Sequence, residues 1–393
     1  MDALPAEPKV IELDATAREN ARLPVGSQVH QVMYGGLGGH ASVATSFIDA
    51  TPHLVHSITF YATAPPSEEL VDFCRSHGVR WDSVVKRPGV DLPAMRSVYS
   101  SLRAANASVI IVHSSTALLS AWLASKASGK RALLVDHTPI EAKRPIEWLA
   151  LAGGLRLLDR TVFLTPAAKH DSERRFGRRN VASRSTVISN GINIERFAPR
   201  PASDATSFTV SMLSRFTPLR DHRTLIDGVL LFLQSSPEFR KRLRVVLAGD
   251  GPTRSSIVDY IRELDVADVV TCPGTLTEDA VISLLQSSDV YIHSSNAETM
   301  STAVMQAMAC GLPVVATAIT GMDHLIDHNR TGLLVPERSP TAIGDALGQL
   351  ARSAQMRQSL GRSARAEAAK RFSALEMAKG YESLAADLIR TEQ

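Results

Sequence analysis

Three short runs in this 393-residue chain carry side chains suited to a phosphorylated, hydroxyl-rich ligand. Arg215 and Arg220 lie in SRFTPLRDHRTLI, and guanidinium groups offer forked donors that match phosphate oxygens. Gly249-Asp250-Gly251-Pro252 is a turn by composition and could accommodate a ribose or a base edge. Glu298 closes a polar break, Ser294 to Glu298, that leads into Thr299-Met300-Ser301-Thr302 and on to Gln306. Thr299, Thr302 and Gln306 are spaced i, i+3, i+7 and share a helical face, with Val304 and Met308 on another. A helix start favours anions, and Glu298 could cap it or accept from ligand hydroxyls. The pattern leaves open whether the stripe faces a ligand or water.

The first half offers a second set. Gly35, Gly36, Gly38 and Gly39 put four glycines in five residues between an apolar run and a helical pattern. Such a loop lets backbone approach a phosphate or an acceptor closely, although it is not GxGxxG and a tight turn without a ligand fits equally. His113 and His137 each follow an apolar run. No DxD sequence occurs, so a divalent-metal diphosphate site of that kind is not indicated.

The elements that would position these residues alternate. Strands are expected over 29–33, 55–61, 79–85, 109–113, 132–136, 161–164 and 186–188, with helices at 41–48, 67–77, 92–105 and 117–127. A second series follows, with strands at 209–213, 245–248, 269–271, 290–293, 314–317 and 332–335. Between the fourth and fifth of these, a helix is expected from Met300 to Cys310, capped by Thr299 or Ser301 and stopped by Gly311. The closing helices are expected at 340–351, 355–370 and 374–389. This is α/β architecture: two doubly wound, Rossmann-like domains facing across a cleft between the carboxyl ends of their sheets. Residues 1–26 read as a loose arm, and Pro199, Pro201 and Ser203 as a linker.

Composition sets the outer limits. Apolar residues make up 44% and charged residues 21%, ordinary for a globular protein. The net charge of +3 is too small to imply nucleic acid. Residues 1–190 carry 22 Lys+Arg against 17 Asp+Glu, a net of +5, so the first half is the basic one. Lys143-Arg144 and the stretch 169–184 concentrate that charge, which suits a membrane surface or an anionic acceptor as well as a solvated face. Cys74, Cys272 and Cys310 are scattered, which argues against a disulfide framework or a zinc site. The first twenty residues lack a signal-peptide pattern, and no apolar run reaches membrane-span length; a cytoplasmic protein is expected.

Taken in order, the motifs resemble those of the retaining GT-B glycosyltransferases often called family four. SRFTPLRD is similar to that group's GRL-x-x-x-K-G segment, and AGDGP to its GxGP turn. NAETMSTAVMQAMACGLPVVAT is similar to EGFGLxxxEAMAxGxPVVA, and TGLLVP to NGxLVP. The resemblance covers nearly the whole chain and implies domains over 1–195 (acceptor) and 196–372 (donor). It also implies a terminal helix, 373–393, packing back on the first domain. It implies a nucleotide-diphosphate-sugar donor, a glycan, lipid-linked or small-molecule acceptor, and no cofactor or metal. Arg215 and Arg220 would hold the diphosphate, and Glu298 the donor sugar. The start of the helix, Thr299 to Thr302, would receive sugar and phosphate, and His137 would lie near the reacting sugar. Gly36, Gly38, Gly39, Gly249 and Gly251 would line the ligands.

Two departures stand out. The usual Gly-Phe-Gly is Thr299-Met300-Ser301, and the second glutamate is Gln306. An amide in that place cannot accept from both ribose hydroxyls as a carboxylate does. A GT-B sugar-nucleotide epimerase and a non-catalytic sugar-nucleotide or glycan-binding protein are the competing readings. The sequence leaves the sugar, base, acceptor and linkage open.

Overall fold

A computed structural model describes residues 22–36, 38–199 and 207–390. The arm up to residue 21 and the linker around Pro201 and Ser203 lie outside the described residues. The first domain holds β1 (Gln28–Met33), β2 (Val55–Ala62), β3 (Arg80–Val85) and β4 (Val109–Val112), then β5 (Arg131–Asp136), β6 (Arg160–Phe163) and β7 (Ser185–Val187). They pair in parallel in the order β3-β2-β1-β4-β5-β6-β7. The second domain holds β8 (Phe208–Leu213), β9 (Leu243–Ala248), β10 (Val270–Gly274), β11 (Val290–His293), β12 (Val314–Thr317) and β13 (Gly332–Val335). Their order is β10-β9-β8-β11-β12-β13, again parallel.

Central strands such as β4, β11 and β12 are buried along their whole length, because parallel sheets are covered on both faces. Hence they read as continuous apolar runs rather than alternating ones. Each sheet reverses its winding direction once, between β1 and β4 and between β8 and β11. Crevices open at such switch points, beyond the strand ends. The glycine loop and His113 follow β1 and β4, and Arg215 and Glu298 follow β8 and β11.

Helix Ala374–Arg390 packs on helix Gly39–Ala50 of the first domain, with the Phe47 and Tyr381 rings 5.6 Å apart. Glu382 accepts from His53 at 3.0 Å. A single apolar cluster runs from Val29 and Phe47 through Ile192 and Phe197 to Met300, Val304 and Tyr381, so the two domains share a core at the crossing.

Two features differ from the sequence expectation. The helix after β11 spans Thr302–Ala309, not Met300 onward, and its cap is Ser301, whose hydroxyl accepts from the Val304 amide at 3.4 Å. Thr299 and Met300 lie before the helix, because Met300 is drawn into the shared core, where its sulfur accepts from the Asn190 amide at 3.2 Å. Helices Pro145–Leu157 and Pro166–Phe176 have no bounded counterpart in the sequence reading. The first contains Gly153-Gly154, an apparent breaker. In the fold Gly154 lies so close to Leu134 of β5 that a side chain there would collide with it.

Candidate active site

The second domain's half of the cleft is built on β8 and β11. Beyond β8, Ser214 to Asp221 forms a loop held by stacking of Phe216 on His222, with ring centroids 4.1 Å apart. His222 also bonds Ser214 Oγ at 3.0 Å and the Arg220 carbonyl at 3.2 Å. Burial holds the His222 pKa down at about 4, so the imidazole is a neutral brace. Gly249 and Gly251 both have positive φ and press against the carbonyls of Ser214 and Phe216, where a Cβ would collide with backbone. Their first task is thus to seat the arginine loop.

Within that loop the two arginines differ. Arg215 is exposed, and no hydrogen bond or ion pair holds its guanidinium among the described residues. Arg220 donates to Ser295 Oγ and to the Ala297 carbonyl, each at 2.7 Å, and its Nη2 lies 2.7 Å from a Glu298 carboxylate oxygen. That same oxygen lies 3.3 Å from His293 Nε2. The Glu298 side chain is only 11% exposed. Burial pushes its pKa up, but the His293 hydrogen bond and the Arg220 charge outweigh that, and the carboxyl stays below its ordinary range. His293, buried and lowered, is the neutral donor of the pair. Glu298 is therefore a fixed, ionised acceptor at the end of β11.

Across the cleft, β1, β4 and β5 bring three imidazoles together. His113 Nδ1 lies 3.0 Å from His137 Nε2, and His113 Nε2 lies 3.1 Å from Gln31 Oε1. The exposed His40 ring sits 4.2 Å from that of His137. Burial and then the other histidines push the His137 pKa well below its ordinary value, and the same causes hold His113 down at about 3. His40 is exposed, yet partial desolvation of its ring among these neighbours, followed by the Arg215 charge, lowers its pKa. With Gln31 Oε1 accepting from His113 Nε2–H, His137 donates from Nε2 and keeps an acceptor lone pair on Nδ1. The loop that holds His137 is fixed from behind by Lys143, which lies 2.9 Å from Asp136 and also donates to the Thr138 carbonyl. Lys143 is buried, so it is not part of the basic surface that Lys143-Arg144 suggests in sequence.

The polar stripe of the Thr302 helix faces neither water nor empty cleft. Thr299 Oγ1 donates to the His137 carbonyl at 2.9 Å. Thr302 closes on Gly39, leaving no room for a side chain there, and Gln306 Nε2 donates to Ser42 Oγ at 3.2 Å. All three contacts cross between domains. The Thr299 amide is taken by its neighbour's carboxylate, Glu298 Oε1, at 3.2 Å. Of the remaining loop glycines, Gly36 lies beneath the Tyr34 ring, and Gly38, at φ 133, precedes the first helix.

Sequence reasoning did not single out His222, His293, His40 or Gln31, because each is a lone polar residue with no periodic signal. Gly321 carries no sequence signal either: it packs against the Glu298 and Thr299 carbonyls with no space for a Cβ. All five support or face the residues that were singled out.

Two Rossmann-like parallel sheets, meeting at their switch points, define the GT-B fold. Residues 37–196 match the family model described as Glycosyltransferase Family 4, and residues 193–367 match Glycosyl transferases group 1. Both models, one per domain, support a GT-B glycosyltransferase. The structure of Anabaena Alr3699/HepE in complex with UDP and glucose is similar, with a TM-score of 0.78 at 18% identity, over 93% of this chain and 100% of that one. Among curated proteins, D-inositol 3-phosphate glycosyltransferase of Saccharomonospora viridis is 31% identical over 201 residues, 48% of this chain and 46% of that protein. N-acetyl-alpha-D-glucosaminyl L-malate synthase of Bacillus anthracis is 29% identical over 182 residues, 46% and 47% respectively. The chain thus spans about half the length of the curated relatives it matches.

Proposed function

We propose that this protein is a retaining, metal-independent glycosyltransferase that moves a sugar from a nucleotide-diphosphate-sugar to a glycan, lipid-linked or small-molecule acceptor. The observation that carries the proposal is the opposition of unlike groups at the two switch points. An unpaired arginine and a fixed carboxylate face a cluster of neutral imidazoles. The similar proteins, which include sugar transferases and a UDP complex, support the sugar-transfer part of this reading.

The chemistry follows from charge. The C1–O bond to the diphosphate breaks through an oxocarbenium-like state, and a new C1–O bond forms to the acceptor on the same face. The acceptor's proton passes to a diphosphate oxygen. Negative charge grows on the diphosphate, where Arg215 is free to meet it without giving up another partner. Arg220 and the start of the Thr302 helix add to this, and preorganised donors aimed at developing charge are commonly the largest catalytic contribution. Glu298 accepts from donor-sugar hydroxyls. His137 accepts from a sugar hydroxyl through Nδ1; because it is neutral, it adds no repulsion beside the cationic sugar. No protein nucleophile is needed.

A panel of nucleotide sugars read by thermal shift, followed by transfer assays and NMR of the product anomer, tests the proposal. Retained configuration, with activity unaffected by a chelator, is expected. Interconversion of nucleotide sugars without an acceptor would instead identify an epimerase. Nucleotide affinity without any turnover would identify a binding protein.

A further inference from the structure

The loop that holds His137 runs directly into helix Pro145–Leu157, and this helix is apolar on its solvent side as well as on its buried one. Leu151, Gly154, Leu155 and Leu158 face the core. On the opposite side, Ile146 is 61% exposed and Leu149 67%, with Leu157 continuing the row. These positions fall on one face at the helical period. A surface helix ordinarily carries polar residues there, and one that is apolar all round is normally covered.

What surrounds the row is cationic. Trp148 ties the helix to the end of helix Pro166–Phe176: its ring lies 5.9 Å from the Phe176 ring, and the Arg175 guanidinium sits 4.5 Å above it. Arg178 and Arg179 follow at once, and Arg156 shares the exposed face with Leu149; all three are exposed and lack an ion pair among the described residues. Residues 141–184 carry ten Lys+Arg and five Asp+Glu, a net of +5. One of these charges, Lys143, is buried against Asp136, and setting it aside leaves +4 of the +5 excess of residues 1–190 around this helix rather than spread over the domain.

We infer that the Ile146–Leu149–Leu157 face is a docking surface for an anionic lipid bilayer. An apolar row flanked by arginines is the arrangement that inserts at the level of the headgroups while the cations meet lipid phosphates. A second copy of the chain fits less well, because a symmetric pairing of this face would bring like charges together. The surface is separate from the cleft and does not depend on the reaction proposed for it.

The test uses the full chain in flotation with phosphatidylcholine vesicles, with and without phosphatidylglycerol. Binding to the anionic vesicles only, weakened by salt, is expected. Ile146→Asp with Leu149→Asp should lower the partition coefficient at least about tenfold, and so should Arg178→Glu with Arg179→Glu. Both pairs are exposed, and the second lies on a different element, so a folding defect in one leaves the other informative. Equal binding to neutral vesicles, or full binding by the arginine pair variant, would overturn the inference. So would a concentration-dependent dimer, seen by light scattering, that the aspartate pair abolishes.

Discussion

Gln306→Glu separates a ligand-facing role for this side chain from a purely structural one. In the structure the amide is 8% exposed and donates to Ser42 Oγ at 3.2 Å, across the domain boundary. A carboxylate cannot donate, so Ser42 would have to turn its hydroxyl to serve as donor, and a charge would be buried beside it. A lost neutral hydrogen bond is worth about 0.5–1.5 kcal/mol, and a charge-assisted bond from Ser42 offsets part of the desolvation. The net expectation is a loss of about 1 kcal/mol in the free protein, a fall of about 2–4 °C in Tm for domains of this size. If the same side chain reaches a ribose when nucleotide binds, the carboxylate gains a second accepted hydroxyl. That is worth about 1–2 kcal/mol, or about 5- to 30-fold tighter nucleotide binding. Differential scanning fluorimetry of the free protein, together with calorimetric titration of the nucleotide, reads both quantities. A lowered Tm with unchanged nucleotide affinity would refute a ribose-facing role and leave Gln306 as an interdomain contact only.

Three further outcomes are expected. Glu298→Gln keeps an acceptor for either Arg220 or His293 but removes the charge; turnover should fall at least about tenfold more than nucleotide affinity, and an unchanged rate would remove Glu298 from the donor-sugar site. Arg215→Ala should leave stability within about 0.5 kcal/mol, yet cost about 100-fold or more in turnover. Arg220→Ala should instead destabilise by about 2–3 kcal/mol, because it strands the buried Glu298 carboxylate; equal Tm changes for the two variants would refute the distinction. Burial holds His30 and His222 at about 4 in the folded chain, against about 6.5 when unfolded. Between those values the unfolded chain binds protons that the folded chain does not. Stability is therefore full above about pH 6.5 and falls toward about pH 4, by at most on the order of 3 kcal/mol per group. Urea midpoints across that range check the sign, and a flat profile would contradict it.

The sequence alone determined the parallel α/β class, the strands seen among the described residues and their division into two series. Those features are written in buried apolar runs and in turn residues, which are local signals. It also picked out Arg215, Arg220, Glu298 and His137, because strand ends are where such sheets hold ligands. It could not tell one arginine from the other. Only packing made Arg220 the partner of Glu298 and left Arg215 without a hydrogen bond or ion pair among the described residues. Nor could it assign a direction to the Thr299–Thr302–Gln306 stripe, since helical period fixes which residues share a face but not what that face meets. The tertiary structure turned it onto His137, Gly39 and Ser42 of the other domain. Helix Pro145–Leu157 escaped for a related reason: it is apolar on both sides, so no amphipathic period marks it, and its glycines answer to close contact with Leu118 and Leu134. Interactions between residues more than a hundred positions apart decided these points, and no local pattern encodes them.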